Sequence, residues 1–448
     1  MAASTLCTRL LSLGFTLALL TSTAVAPASA KLATASPHSL TTDQTKEISL
    51  LEEQGIKYFL DNQIESGLML DRQTNFAKPI NTSWCSLSAT GMGLIAIALA
   101  SGPDHRMITR EDAIARVRKA LTVAKSLPAI HGMMPHFFDP VTLKWQSSDQ
   151  VSTIDSSWFF AGALWAAHYL KDEGLKKEAE ELYDRVDWEY WVAQDTTGGA
   201  PVLCMGMDDK GQKWKGLWDR INNEAAFMYI LAIGAKQHAL APSAWAALKP
   251  YNKTVAGEEL AGGDLGLFTF QYSNELMDLK AYKGNKVDLY AQAVKGARAN
   301  YAACKEMAGK FKTFERFWGL SAGDGPPTNG QGGDAYRAYA PANEVDGTAH
   351  VEATLASIDV APDLVLANVK AAEEQKEPPM HGRYGFSNIN LDKNWVSRDV
   401  VGIDVGVAVM ALENMLDRDE VRKVWEALPS SKRAAERLAA AARSINTK

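Results

Sequence analysis

Cysteine is scarce in this chain, with four in 448 residues, and Cys7 lies in an N-terminal stretch that reads as removable. Cys85, Cys204 and Cys304 remain, an odd set without C-x-x-C spacing. That excludes a disulfide framework and a zinc cage and leaves room for one bridge at most. The fold must rest on its core. The His-Glu-x-x-His, P-loop and Gly-x-Gly-x-x-Gly signatures are missing, and the eight histidines are scattered. Positive charge is nowhere concentrated: the net charge is −6 and no dense Lys/Arg stripe occurs. Nucleic acid and anionic membrane surfaces are therefore poor partners, and a neutral or polar ligand is the better one.

Apolar residues make up 46% of the chain, enough for one large domain or two ordinary ones and far too much for disorder. The N-terminus reads as an export signal: Arg9 supplies the charge, Leu10–Leu20 the apolar core and Ala28-Ser29-Ala30 the cleavage site. A membrane anchor fits less well, because the apolar run is shorter than the roughly 20 residues that span a bilayer. Residues 1–30 are thus expected to be a signal peptide, 31–45 an export linker and 46–448 one domain, periplasmic or secreted. Asn81-Thr82-Ser83 and Asn252-Lys253-Thr254 are glycosylation sequons, meaningful only in a eukaryotic secretory route.

Helical periodicity dominates. It predicts helices over Lys46–Asp61, Ser88–Ala100, Arg110–Ser126, Asp155–Leu170, Leu175–Arg185, Glu224–Lys236 and Ser243–Leu248. Further helices are expected over Ser273–Leu279, Lys286–Met307, His350–Ala356, Pro362–Gln375, Ser397–Leu416, Asp419–Leu428 and Ser431–Ile445. Short β pieces are expected within Met134–Trp145 and Gly198–Met207, where Gly, Pro and aromatics cluster. This all-α pattern fits a closed double layer, with apolar helices inside and amphipathic ones such as Arg110–Ser126 outside. No strict internal repeat is visible. The Gly-rich stretch Gly319–Asp346 is too long for a plain connection, and its aromatics Phe317, Trp318, Tyr336 and Tyr339 favour an ordered rim over a cavity.

Carboxylates are then the chemistry on offer. Breaking a glycosidic bond takes one protonated carboxyl for the leaving oxygen and one ionised carboxylate to activate water or attack. Glu224 is the general-acid candidate, following Asn222 and Asn223, which can cap a helix. An acid in a first helical turn is also stabilised by the helix dipole alone. Asp155 begins an aromatic-rich helix, and Ser152-x-x-Asp155 resembles a capping box with Asp replacing Glu, so on pattern a cap accounts for it slightly better. Asp404 lies in an apolar run, where an acid is costly unless used or paired, with Arg383 or Arg398 as partners. Trp158, Trp165, Trp214, Trp218, Trp318 and Trp395 are mostly core by frequency, and Trp318 and Trp395, beside Gly and polar residues, are the ones expected to face a sugar. His136 is placed either to bond a hydroxyl or to serve the structure.

Several segments, taken in order, resemble the glycoamylase-like domain family, which includes bacterial endo-β-1,2-glucanases. They include Ala89-Thr90-Gly91-Met92-Gly93-Leu94, His136-Phe137-Phe138-Asp139-Pro140, Ser152-Thr153-Ile154-Asp155 and Asn223-Glu224. Phe268-Thr269-Phe270-Gln271-Tyr272-Ser273, Trp318-Gly319-Leu320-Ser321-Ala322-Gly323-Asp324, Gly382-Arg383-Tyr384-Gly385-Phe386 and Gly402-Ile403-Asp404 follow. The resemblance implies an (α/α)6 toroid with short β-hairpin insertions, a site in the central cleft and hydrolysis of a glucan, β-1,2-linked by preference. It implies Glu224 as acid, Asp404 as base or water-positioning group, and Asp155 as its partner or a subsite ligand. With the aromatics, it puts forward His136, Asp139, Trp218, Gln271, Tyr272, Trp318, Asp324, Arg383, Tyr384 and Trp395 for substrate binding. No cofactor and no metal are expected, the partner is a glucan or oligosaccharide, the mature form has no membrane span, and the state is monomeric. Histidines common in the family are replaced by Phe270 and Asn274, an aromatic by Ala225, and polar residues by Glu315-Arg316-Phe317. These departures are expected at subsites. A non-catalytic glycan-binding protein is the alternative, and a polysaccharide lyase a more distant one.

Overall fold

The structure, a computed structural model, describes residues 40–80, 83–146, 151–193, 201–222, 224–262, 266–282, 287–328, 334–343 and 345–446. The expected signal segment and most of the expected linker lie outside them, as does part of the first sequon. Helices α1 (Thr42–Asn62), α2 (Leu87–Ala100), α3 (Arg110–Ala124), α4 (Thr153–Tyr169) and α5 (Glu173–Tyr183) form the first part. Then come α6 (Ala226–Gly234), α7 (Ser243–Ala246), α8 (Phe268–Leu276), α9 (Leu289–Glu306) and α10 (Lys312–Arg316). The last are α11 (Val351–Leu355), α12 (Pro362–Glu373), α13 (Gly402–Leu416), α14 (Glu420–Ala427) and α15 (Pro429–Asn446). The expected helices are present with shifted ends, and α10 was not expected. Within the expected linker, Thr41 and Gln44 form a capping box that starts α1 at Thr42.

Two kinds of helix make two layers. Every residue of α2 and of α6 is buried, as are residues Thr153–Ala167 of α4, so these helices are apolar all round and surrounded by protein. Helices α1 and α5 bury one stripe, such as Ile48, Leu51, Ile56 and Phe59, and face water on the other. Packing neighbours run α2 to α4, α4 to α6, α6 to α8, α8 to α13 and α13 back to α2, with α11 against α13. Amphipathic helices back them: α1 on α2 and α13, α3 and α5 on α4, α15 on α6, α9 on α8 and α12 on α11. The α2–α4 contact is close because both helices carry glycine there. A Cβ on Gly91 would run into the Trp158 carbonyl, and one on Gly162 into the Gly91 carbonyl.

Two- and three-residue strands fix where the buried helices begin. Cys85–Ser86 precedes α2 and pairs antiparallel with Met69–Leu70 and Phe137–Phe138. Val151–Ser152 precedes α4 and pairs with Gly206–Met207. Asp399–Val401 precedes α13 and pairs with Arg72–Thr74. The two expected β regions thus shrink to Phe137–Phe138, with a bridge from Phe138 to Trp145, and Gly206–Met207. In the Gly-rich stretch Ala322–Gly325 pairs with Ala335–Ala338, so its described part is ordered. The three cysteines of the described chain are free and buried. Among the described residues no helix is long and apolar enough to cross a membrane.

Candidate active site

Four carboxyls stand at or just before the starts of buried helices: Asp155 on α4, Glu224 ahead of α6, Glu352 on α11 and Asp404 on α13. The N-terminal end of a helix presents free N–H groups and a positive partial charge, a natural seat for an acid.

Asp155 is not the second half of a capping box. The Ser152 hydroxyl accepts from the Asp155 N–H, 3.3 Å away, as a cap should, but the Ser152 N–H donates to the Met134 carbonyl at 3.1 Å and not to Asp155. The Asp155 carboxyl turns elsewhere. Its Oδ1 accepts a short hydrogen bond from Ser88 of α2, its Oδ2 one from Ser152, and His136 Nε2 lies 3.3 Å from Oδ1. Asp155 thereby joins α4, α2 and the turn before Phe137 around one buried carboxyl.

Glu224 departs from its expected setting. Helix α6 starts at Ala226 behind Ala225, which makes no side-chain cap, and the Asn222 amide donates to the Ala261 carbonyl at 2.8 Å. Asn223 lies outside the described residues. The Glu224 backbone is held by the Ser273 hydroxyl, which donates to its carbonyl at 3.1 Å. Its side chain remains partly accessible. Burial, and next the charge of Asp155, push its carboxyl up to about 8, so that it keeps a proton at neutral pH.

Asp404 is 7% exposed and is likewise pushed up to about 8, first by burial and then by Asp324 and Asp71. Arg72 opposes them. Arg72 grips Asp324 with Nη1 at 3.1 and 2.8 Å and reaches Asp71 with Nε at 3.3 Å, while the Asp71 carbonyl accepts from Gly402 N at 2.6 Å and anchors α13. Asp404's cation is therefore Arg72. Arg398 pairs with its neighbour Asp399, and Arg383 is exposed over the Tyr384 ring. Glu352 is 4% exposed, and burial, reinforced by Asp404, holds its carboxyl well above the usual range.

Tyr272 links the group. It is 4% exposed, meets Trp158 edge to face at 5.8 Å, and feels Asp404, Glu224 and Asp155 together, with its hydroxyl pushed up by burial. Tyr336, on the ordered hairpin, is half exposed and interacts with Asp404, Asp71 and Glu224. The described hairpin of the Gly-rich stretch thus borders this group of acids.

Asp155, Glu224, Asp404, His136, Tyr272 and Asp324 are brought together. Other expected residues serve the frame. Asp139 closes its own turn, accepting from Val141 N, Thr142 N and the Thr142 hydroxyl. Gln271 donates to Ala353 O and Ser357 on the α11 side. Trp218 is 8% exposed with its indole N–H on Thr153. Tyr384 packs on Tyr58 and reaches Asp61. Trp318 does not face a sugar: it is 2% exposed, with its N–H on the Leu364 carbonyl. Trp395 is partly exposed and donates to Asp334 at 2.9 Å, next to the Tyr336 strand. Most of the departures expected at subsites are buried, and Glu315 and Arg316 are exposed. Phe270 fills the space against Gly296, Asn274 joins Glu275 and Asp359, Ala225 is fully buried, and Arg316 binds the Ala371 carbonyl.

Ser88, Asp71, Arg72 and Glu352 were missed. Glu352 had a usable signal, an acid in the first turn of an apolar helix, the same one that Asp404 gives. Gly319-Leu320-Ser321-Ala322-Gly323 has the spacing of a nucleophile elbow, yet Ser321 is fully buried, accepts from Phe268 N and leads into a strand rather than a helix.

A family model described as "Putative glucoamylase" matches residues 217–431, a span holding Glu224, Tyr272, Glu352 and Asp404. The resemblance to the glycoamylase-like family is borne out. A curated relative, the exo β-1,2-glucooligosaccharide sophorohydrolase (non-reducing end) of Parabacteroides distasonis, is 24% identical over 408 residues, 82% of this chain and 54% of its own. The chain spans about half the length of that relative. The crystal structure of a β-1,2-glucanase from the same organism superposes with TM-score 0.74 at 21% identity, covering 90% of this chain and 60% of that one. The endo-β-1,2-glucanase of Chitinophaga pinensis, solved with sophorotriose and glucose, gives 0.75 at 20%, covering 89% and 98%. At these identities the likeness shows the fold alone, which is predominantly helical.

Proposed function

We propose that this protein is an exported glycoside hydrolase that cleaves β-1,2-glucosidic bonds of a glucan or gluco-oligosaccharide, in the central cleft of an (α/α)6 toroid formed by the two helix layers. The observation that carries the reading is Glu224, a partly accessible carboxyl that keeps its proton near neutral pH because of burial and Asp155. Such a group is suited to protonate a glycosidic oxygen as the bond to the anomeric carbon breaks. Asp404, also pushed up to about 8, takes a proton from the attacking water in the fraction of molecules where it is ionised, and the product anomer is inverted. Asp155, fixed by Ser88, Ser152 and His136, positions a sugar hydroxyl and raises the proton affinity of Glu224. The names of the relatives support the β-1,2 linkage.

The test is incubation with a panel of glucans, β-1,2-linked included, with product size followed by chromatography and the first-formed anomer by NMR. Cleavage of the β-1,2 polymer or its oligomers, lost in Glu224→Gln with binding retained, is expected. Binding without turnover by the natural protein would instead mark a glycan-binding protein, and an ultraviolet-absorbing unsaturated product a lyase.

A further inference from the structure

Helix α13 carries Asp404 in its first turn and Glu413 nine residues on, about 14 Å further along the axis at ~1.5 Å per residue. Glu413 meets Glu52 of α1 and His105 of the α2–α3 connection. His105 Nε2 lies 3.2 Å from Glu413 Oε2 and 3.5 Å from Glu52 Oε1. Both carboxyls are deep in the protein, Glu52 1% and Glu413 4% exposed. The Glu52 contact is the longer of the two and neither Glu52 oxygen makes a hydrogen bond of good geometry, so without a metal the positive group that meets both carboxyls is His105, which they hold protonated. A carboxylate buried in this way is costly unless something positive meets it.

The three side chains each offer one donor atom, and these atoms lie within 4.8 Å of one another. Ligands held tetrahedrally on bonds of about 2.1 Å stand roughly 3.4 Å apart, which matches both spacings from the imidazole nitrogen. We propose that Glu52, His105 and Glu413 bind a divalent transition-metal ion of the zinc class, with a water completing the tetrahedron. One imidazole nitrogen among the donors favours such an ion over Ca²⁺ or Mg²⁺, which prefer all-oxygen sites. The ion ties α1 and the α2–α3 connection to α13 at the end remote from the cleft, so it acts on stability. The proposal departs from the sequence expectation of no metal. His105 and Glu413 are 308 residues apart and form no ligand motif.

Metal content decides this independently of any glycosidase activity. Tag-free full-length protein, stripped with a chelator, is titrated with Zn²⁺, Mn²⁺, Mg²⁺ and Ca²⁺ by calorimetry and melted with and without each. One equivalent of Zn²⁺ per chain and a rise in Tm are expected, with affinity reduced about tenfold or more in Glu52→Gln and His105→Gln. The trio of half-buried Asp187 with exposed Glu189 and His238 is the internal control, and His238→Ala should leave the binding intact. Glu52→Gln keeps the side-chain shape, so it serves even where His105→Gln fails to fold. Absence of Zn²⁺ uptake, an unchanged Tm on loading, or uptake that survives in Glu52→Gln and disappears in His238→Ala overturns the proposal.

Discussion

Replacing Arg72 with Gln removes the cation that restrains Asp404. Arg72 lowers the proton affinity of Asp404 against burial, Asp324 and Asp71, and the balance stands at about 8. A nearby opposite charge is worth about one to three pH units, and Arg72 is the least of the four influences, so the low end applies. The Asp404 carboxyl then rises by roughly one pH unit. As the base, Asp404 must be ionised, and below its pKa the ionised fraction falls tenfold for each unit of rise. At pH 6–7 kcat/KM should therefore drop about tenfold. The loss should recede as pH climbs, until Glu224 gives up its proton above about 8. Asp324→Asn acts the opposite way, since it deletes the largest neighbouring charge that raises Asp404 and should move the acid limb to lower pH. The assay is kcat/KM against pH for the natural protein and both variants on β-1,2-gluco-oligosaccharides, with Tm measured alongside. Breaking the part-buried Arg72–Asp324 pair should cost stability in either variant, less than the roughly 3 kcal/mol of a fully buried pair because Arg72 is 30% exposed. A uniform loss at every pH, with both acid limbs unmoved, would refute the assignment of Asp404 as base and leave Arg72 a mere anchor for Asp324.

Glu224→Gln, keeping shape and losing the proton, should lower kcat by about 10²- to 10⁴-fold while calorimetry shows the oligosaccharide still bound. Ser88→Ala withdraws a donor from the buried Asp155 carboxyl, and a loss of about 1.5–3 kcal/mol in denaturant melts is expected, along with lower kcat. Gly91→Ala forces a methyl against the Trp158 carbonyl where α2 and α4 touch, and about 1–3 kcal/mol of stability should go. Glu352 binds its proton more tightly folded than unfolded, so its contribution is full below about 4.5 and declines as pH rises toward its folded value. Glu352→Gln lacks that decline and should melt above the natural protein at pH 8 but not at pH 4, and equal melting shifts at both would contradict the burial argument.

What the sequence reveals follows the range of each force. Helices α2, α4 and α13 are legible because an unbroken apolar run has only one place to go, and at the starts of α4 and α13 an acid stands out against it. Glu224 was placed inside its helix because two asparagines resemble a cap, whereas Asn222 is engaged by the Ala261 carbonyl, far along the chain. Trp318 looked like a rim residue because Gly319 follows it. That glycine, with φ of +122°, instead turns the chain so that the indole enters the core. Arg72 gave no local signal at all, since its partner Asp324 is 252 residues away.

The pairing of Arg72–Thr74 with Asp399–Val401 also bears on the order of assembly. A chain growing from its N-terminus exposes one half of this seam hundreds of residues before the other half exists, and Asp404 is seated only when the seam closes. Fragments ending before α13 contain Asp155 and Glu224 yet lack Asp404, the proposed base. Catalytic competence should thus arrive late in synthesis and all at once, and shortened translation products should be inert toward the substrate.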